Sequence, residues 1–370
     1  VEDIMDFLSV YLGNVVMMIV GVVLILLAVK KGYEPLLLIP IGFGAILVNI
    51  PYGELMEVGG FLRYLYDYGI ITELFPILIF IGIGAMLDFT PLFERPWYLL
   101  ITIPAHLGIP LTMLLALSLG LDPGAAASIG IIGAMDGPTA IFVTSKYARE
   151  LLGPVTVAAY TYISVVPILQ VPLSKILLSK KERLTRMEYK PASFPRTVKI
   201  VFPLLVTLTI GVLAPKGLPL IGALMFGNFL KEVGIVERLA KSAQNELSNI
   251  VTLLLGITIG GTMIAEKFLN IVTLMVFGFG VVAFIIDLSC GLLAAKLAYY
   301  VTGGKINPLI GATGISAFPM AARTAHLIAR QEDPDNWILM QAMAANTGGQ
   351  ITSVIAGAVV LSLLPILFQL

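Results

Sequence analysis

Apolar stretches long enough to enter a bilayer recur along the whole chain, and nothing else in the sequence restricts the fold so strongly. They include Val15 to Val29, Leu99 to Leu119, Val155 to Leu178 and Ile271 to Ala295. A spanning helix needs roughly 17–25 predominantly apolar residues. In hydrocarbon every backbone polar group must be satisfied internally, which leaves helices and closed barrels. Barrel strands alternate in polarity, whereas these runs do not. The sequence therefore specifies an all-α polytopic membrane protein. Its composition agrees: 58% of 370 residues are hydrophobic and 12% charged, with a mean hydropathy of +0.96. A soluble domain carries about 25% charge, twice what is available here to wet a surface.

Several function classes drop out. Lys and Arg number 23, as do Asp and Glu, so there is no basic footprint for nucleic acid. The one cysteine, Cys290, sits in an apolar run and is expected to be inert, with no disulfide framework or thiolate cluster available. Asp3 and Asp6 precede the first apolar run without a basic segment, which argues against a cleavable signal peptide. No phosphate-binding loop of the Walker type is present, so ATP hydrolysis is not the expected energy source.

The long polar stretch SKKERLTRMEYKPASFPR, 179–196, holds six Lys or Arg residues and should face the cytoplasm. It separates a first transmembrane repeat, 1–178, from a second, 197–370. Each half contains about five full-length apolar segments and one shorter one, Pro35 to Ile50 or Leu218 to Leu230. IGIGAMLDF resembles TIGGTMIAE, placing Gly84 on Gly261 and Met86 on Met263 at an offset of 177 (261−84). The same offset lays DGPTA on TGISA, pairing Gly137 with Gly314, Thr139 with Ser316 and Lys146 with Arg323. AAYT at Ala158 matches AANT at Ala344 at an offset of 186 (344−158), with the surplus assigned to the polar loop Arg330 to Asn336. If the short segments are not full crossings, each half crosses an odd number of times and the repeats are inverted, as in many secondary transporters.

Two motifs interrupt apolar runs with chemistry. GIIGAMDGPTAIF, Gly130 to Phe142, puts Asp136 in mid-span beside Gly137 and Pro138. Gly-Pro breaks a helix and frees backbone groups for a cavity ligand. An aspartate at the bilayer centre costs about 2.5–3.5 kcal/mol on insertion scales, so its presence calls for a role. A carboxylate beside exposed carbonyls suits a hard cation. The structural alternative is a cap on the half-helix that follows. NPLIGATGISAFPMAAR, Asn307 to Arg323, offers amide and hydroxyl oxygens, with Gly311, Gly314, Ser316 and Pro319 marking a second interruption. Arg323 lies two turns beyond Ser316 and could meet a carboxylate or, alternatively, snorkel to the interface.

AAYTYISVVP adds Tyr160 and Tyr162, and AANTGGQITS adds Asn346, Thr347 and Gln350. Interfacial tyrosines and helix–helix hydrogen bonds are the bland readings. Asp88, Glu266 and Lys267 fall at the ends of apolar segments and are expected at the interface. Asp287 lies deeper, and His106, between Pro104 and Pro110, reads as a packed polar residue.

Taken in order, GIIGAMDGPTAIF, VAAYTYISVVP and NPLIGATGISAFPMAAR resemble the β subunits of sodium-pumping, biotin-dependent decarboxylases acting on oxaloacetate, methylmalonyl-CoA or glutaconyl-CoA. The resemblance covers nearly the whole chain. It implies a subunit of the cytoplasmic membrane that decarboxylates carboxybiotin and exports sodium. It also implies an oligomer with a biotin carrier, a carboxyltransferase α subunit and a small membrane-anchoring subunit. The family's catalytic residues fall on Asp136, Tyr162, Ser316 and Arg323, and its sodium-binding residues on Asp136, Asn307, Gly311, Ser316 and Asn346. In that scheme Arg323 holds the carboxylate of carboxybiotin and Tyr162 lies on the proton route. The N-terminal part is shorter than in the oxaloacetate members, which favours the acyl-CoA group. No Met-Lys-Met occurs, so biotin has to arrive on another chain. The rival reading is a sodium/proton antiporter or a sodium-coupled carboxylate transporter, which would share the broken helices and the intramembrane aspartate.

Overall fold

A computed structural model describes residues 2–32, 34–188 and 193–369; Tyr189, Lys190, Pro191 and Ala192 of the basic stretch lie outside the described residues. The chain is helical, with no β-strand among the described residues. The first half runs through α1 (Glu2–Lys31), α2 (Pro35–Val48), α3 (Phe61–Leu65), α4 (Leu74–Met86), α5 (Thr90–Glu94) and α6 (Tyr98–Thr102). It continues with α7 (Gly108–Ser118), α8 (Pro123–Gly130), α9 (Gly137–Tyr147) and α10 (Leu152–Leu177), and α11 (Lys180–Arg183) opens the central loop. The second half comprises α12 (Arg196–Leu213), α13 (Leu218–Val233), α14 (Glu237–Ser242), α15 (Ser248–Gly261) and α16 (Ala265–Phe268). The long α17 (Ile271–Val301), α18 (Met320–Glu332) and α19 (Leu339–Phe368) complete it.

Five helical stretches are long and apolar enough to cross a membrane: Tyr11–Lys31, Tyr98–Ser118, Arg196–Leu213, Ile271–Val301 and Leu339–Phe368. Two bent pairs raise the number to seven: Phe61–Ile70 with Leu74–Met86, and Arg149–Ile163 with Val165–Leu177. The second pair bends by 61°. Pro167 explains its position, since a helical proline clashes with the carbonyl four residues back and lacks the N–H to bond it. Leu204, Leu205, Leu208 and Val212 of α12 are exposed, as expected of a face turned to lipid.

The halves repeat the same devices. A π-helical turn occurs at Tyr66–Ile70 and again at Ala243–Leu247, at the offset of 177 (243−66) read from the sequence. Packing is exchanged between halves, with α2 against α15 and α13 against α4. Both contacts bring backbone onto backbone. A Cβ on Gly44 or Gly260 would strike the carbonyl of Ile257 or Ile41, and one on Gly84 or Gly227 would strike that of Leu224 or Ile81. By this packing Gly84 corresponds to Gly260, one residue from the sequence alignment. The surplus of the second half is also redistributed. The 3-10 turns Ile131–Ala134 and Pro308–Thr313 begin 177 apart (308−131), whereas α9 and α18 begin 183 apart (320−137). Six extra residues therefore sit within Pro308–Pro319, two in the longer turn and four after it, ahead of the loop that the sequence favoured. Thr139 and Ser316, and Lys146 and Arg323, are consequently not equivalent in helix register.

Each interrupted segment is a hairpin, not a crossing with a gap. In the second, the Asn307 amide donates to the carbonyls of Arg183 (3.0 Å) and Thr185 (2.7 Å). At its other end Arg183 grips Glu332 through Nε (2.9 Å) and Nη2 (2.6 Å). Both ends thus meet the central loop. In the first hairpin a Cβ on Gly124 would strike the Tyr147 carbonyl, so its two ends are also adjacent. Tyr147 donates to the Leu361 carbonyl at 2.8 Å, near the C-terminal end of α19, whereas the second hairpin is based beside the N-terminal end of α19. The two hairpins therefore enter the bundle from opposite ends.

Candidate functional site

The hairpin tips meet directly, with the Ser316 N–H donating to the Ala134 carbonyl at 2.9 Å. Met135 makes the first tip, taking a left-handed backbone (φ 55°) that ends the 3-10 turn and redirects the chain. Asp136 follows as the N-cap of α9, accepting from the Thr139 N–H at 3.3 Å. The capping alternative is therefore true, but it uses only one oxygen. The other accepts from the Ser353 hydroxyl at 2.7 Å. Asp136 is 4% exposed and belongs to a cavity of about 360 Å³. Ser316, Pro319, Gln350 and Tyr160 line the same space.

Helix α19 runs beside both tips and meets them in register. Asn346 donates to the carbonyls of Thr313 (3.1 Å) and Ile315 (2.8 Å), and the Gln350 amide donates to that of Ser316. Ser353 reaches Asp136, and Gly357 faces Thr139 closely enough that a Cβ there would collide. This ordering explains Gly349 as well: its Cβ would press on the Gly314 carbonyl at 2.5 Å, so a glycine lets the second tip approach.

The expected residues separate into groups. Asp136 and Ser316 share the cavity. Asn346 stands at the second tip, fully buried, with its Oδ1 lacking a hydrogen-bond partner among the described residues. Asn307 is at the base of the second hairpin; its Oδ1 accepts from the Leu309 N–H at 3.0 Å, so both ends of its amide hold the hairpin in place. Gly311 packs against Gly291 of α17, where a Cβ on either would strike the other's carbonyl. Tyr162 donates to the Phe277 carbonyl at 2.5 Å and does not line the cavity. Arg323 is exposed in the first turn of α18 and has no ion-pair partner among the described residues.

Sequence reading did not single out Ser353 or Glu34. Ser353 follows Gln350 by one helical turn, a signal available only once the face of α19 is known. Tyr160, not Tyr162, is the tyrosine beside the carboxylate, and a Cβ on Gly137 would collide with its ring. The offset of 186 that matched AAYT to AANT pairs Tyr160 with Asn346, a signal that could have found it. Asp88, Glu266 and Lys267 are exposed, as expected at an interface. Asp287 is fully buried and accepts from the Gly108 N–H at 2.5 Å, and His106 meets the Thr352 hydroxyl at 3.1 Å.

Fold and site together define a class: a polytopic helical membrane protein in which two opposed hairpins close around the buried Asp136 carboxylate. Over residues 13–364 the sequence matches the family described as the Na+-transporting oxaloacetate decarboxylase beta subunit, and the chain belongs to that family. It is 45% identical to the glutaconyl-CoA decarboxylase subunit beta of Acidaminococcus fermentans, over 95% of this chain and 93% of that one. It is 42% identical to the methylmalonyl-CoA decarboxylase subunit beta of Propionigenium modestum, over 96% of both chains. The oxaloacetate decarboxylase beta chain of Haemophilus ducreyi is 39% identical, again over 96% of both.

Proposed function

We propose that this membrane subunit decarboxylates carboxybiotin presented by a carrier subunit and couples that step to sodium export. The observation that carries the reading is the Asp136 carboxylate, buried where the two hairpin tips meet and lining a cavity that Ser248, Thr252, Ser316 and Gln350 also line. Carboxylate, hydroxyl and amide oxygens are the donors that a hard monovalent cation takes. Asp136 and Ser316 supply the cavity ligands, and the unpartnered Asn346 Oδ1 is a further acceptor beside them. Asn307 and Gly311 act by fixing the second hairpin. Arg323, exposed and without an ion-pair partner among the described residues, receives the carboxylate of the carried group, for which its planar fork is suited. Decarboxylation consumes a proton, and a carboxylate that cannot hold sodium and a proton together links the two events. The halves are inverted repeats in this reading, because the hairpins replace one crossing in each.

The multi-subunit complex includes a biotin carrier, a carboxyltransferase and a membrane anchor, so the acyl substrate is chosen on another chain. Identities of 42–45% to the acyl-CoA relatives named above, against 39% to the oxaloacetate one, favour an acyl-CoA complex. Asp136→Asn tests the site, since it keeps size while removing charge. The assembled complex should form and lose sodium-dependent decarboxylation. Sodium-stimulated turnover near that of the unsubstituted protein would refute the assignment.

A further inference from the structure

The Asp136 cavity has a second carboxylate on its wall. Glu34, between α1 and α2, lines it together with Tyr160, Ser248 and Thr252. It stands at the N-cap of α2, where an acidic side chain ordinarily turns back onto free N–H groups. Here it makes no capping bond: Pro35 begins the helix, and the Glu34 backbone is left-handed, φ 32°. Among the described residues its carboxylate has no hydrogen bond or ion pair, and Lys30 and Lys31 are exposed without bridging to it. The cavity wall it shares includes Met86 and Leu87, and from there the chain leads to Arg95, which donates to the Glu188 carbonyl of the central loop at 3.2 Å. Glu34 therefore occupies the central-loop side of the cavity, the side that the positive-inside tendency makes cytoplasmic.

We infer that Glu34 is the outer ligand of a two-carboxylate path, holding a monovalent cation arriving from the central-loop side before it passes to Asp136. The inference rests on the reading of Asp136 as the cation site. Ser248 and Thr252 add hydroxyl oxygens on the same wall, the hard donors such an ion takes. The test is a sodium titration of decarboxylation by the assembled complex in proteoliposomes. Glu34→Gln should raise half-saturating sodium about tenfold, the scale of one charge lost from a partly hydrated cavity, with a smaller fall in maximal rate. Glu34→Asp, which keeps the charge, should recover part of that loss. Half-saturating sodium within twofold of the unsubstituted complex would overturn the inference. So would a fall in maximal rate alone, which would place Glu34 on the proton route. If Glu34→Gln fails to assemble, Glu34→Asn, which tolerates the left-handed backbone, undergoes the same titration with the same criteria. Asp136→Asn run in parallel separates the two claims: sodium stimulation surviving there refutes the cation site itself, whatever Glu34 does.

Discussion

Gly311→Ala distinguishes a packing residue from a ligand, and the structure gives the size of the effect. The added Cβ would fall onto the Gly291 carbonyl of α17, inside the 3.0 Å that real Cβ atoms keep. Because the obstacle is backbone, no rotamer change relieves it, and the second hairpin must move away from α17. Overpacking of this kind costs about 1–3 kcal/mol, and contact with an unyielding carbonyl puts it at the upper end. At about 1.4 kcal/mol per factor of ten, the well-packed hairpin becomes roughly a hundredfold less favoured. Thermal unfolding of the detergent-solubilised complex should show a clear fall in midpoint without sodium. Gly291→Ala, on the opposite side of the contact, should show the same fall. A residue that served only as a ligand through its carbonyl, without the close approach to α17, would leave both midpoints unchanged, because alanine keeps that carbonyl. An unaltered melting curve for either variant would refute the packing account.

Arg323→Lys keeps charge but loses the fork, and should depress carbon dioxide release from the carboxylated carrier far more than sodium protection against unfolding; a parallel fall in both would make Arg323 structural. Cysteines placed at Gly120 and Gly303, in the loops after α7 and α17, should react with impermeant reagents from opposite faces of the membrane; reaction from one face would sink the inversion. The Arg186 hydrogen bonds hold the Asp333 carboxyl below its ordinary value. A depressed carboxyl stabilises above its unfolded value, near 3.9, and that contribution disappears as pH falls through the lower folded value. Protease nicking near Asp333 should therefore increase only below about pH 4, and Asp333→Asn should remove that acid-induced increase.

The membrane helices were legible because hydrophobic length is a local property: α1 and α17 contain runs read from the sequence, and α10 contains all but the last residue of another. Asp136 was legible for the same reason, as a charge where lipid should be. The hairpins were not. An interruption in an apolar run looks alike whether the chain continues across or turns back; the approach of Gly124 to Tyr147 reveals the return in the first hairpin, and the Arg183 contacts with Asn307 and Glu332 reveal it in the second. Ser353 and Glu34 were missed because a serine in a helix and a glutamate before a proline carry no local oddity. Their importance comes from what a distant segment places beside them. Tyr160 and Tyr162 differ by two positions, about 200° around the helix, and sequence could not say which of them turned inward.

The bond between Ser353 and Asp136 joins residues 217 positions apart. During synthesis Asp136 emerges long before α19, the helix that completes its surroundings. At roughly 5–20 residues per second, the nascent protein waits about 10–40 s with its first hairpin lacking both that hydroxyl and the facing tip. Until then hydration must be supplied by the translocation machinery or the membrane surface. Premature termination before α19 would consequently yield a product with its aspartate unsheltered in lipid, a natural target for membrane quality control.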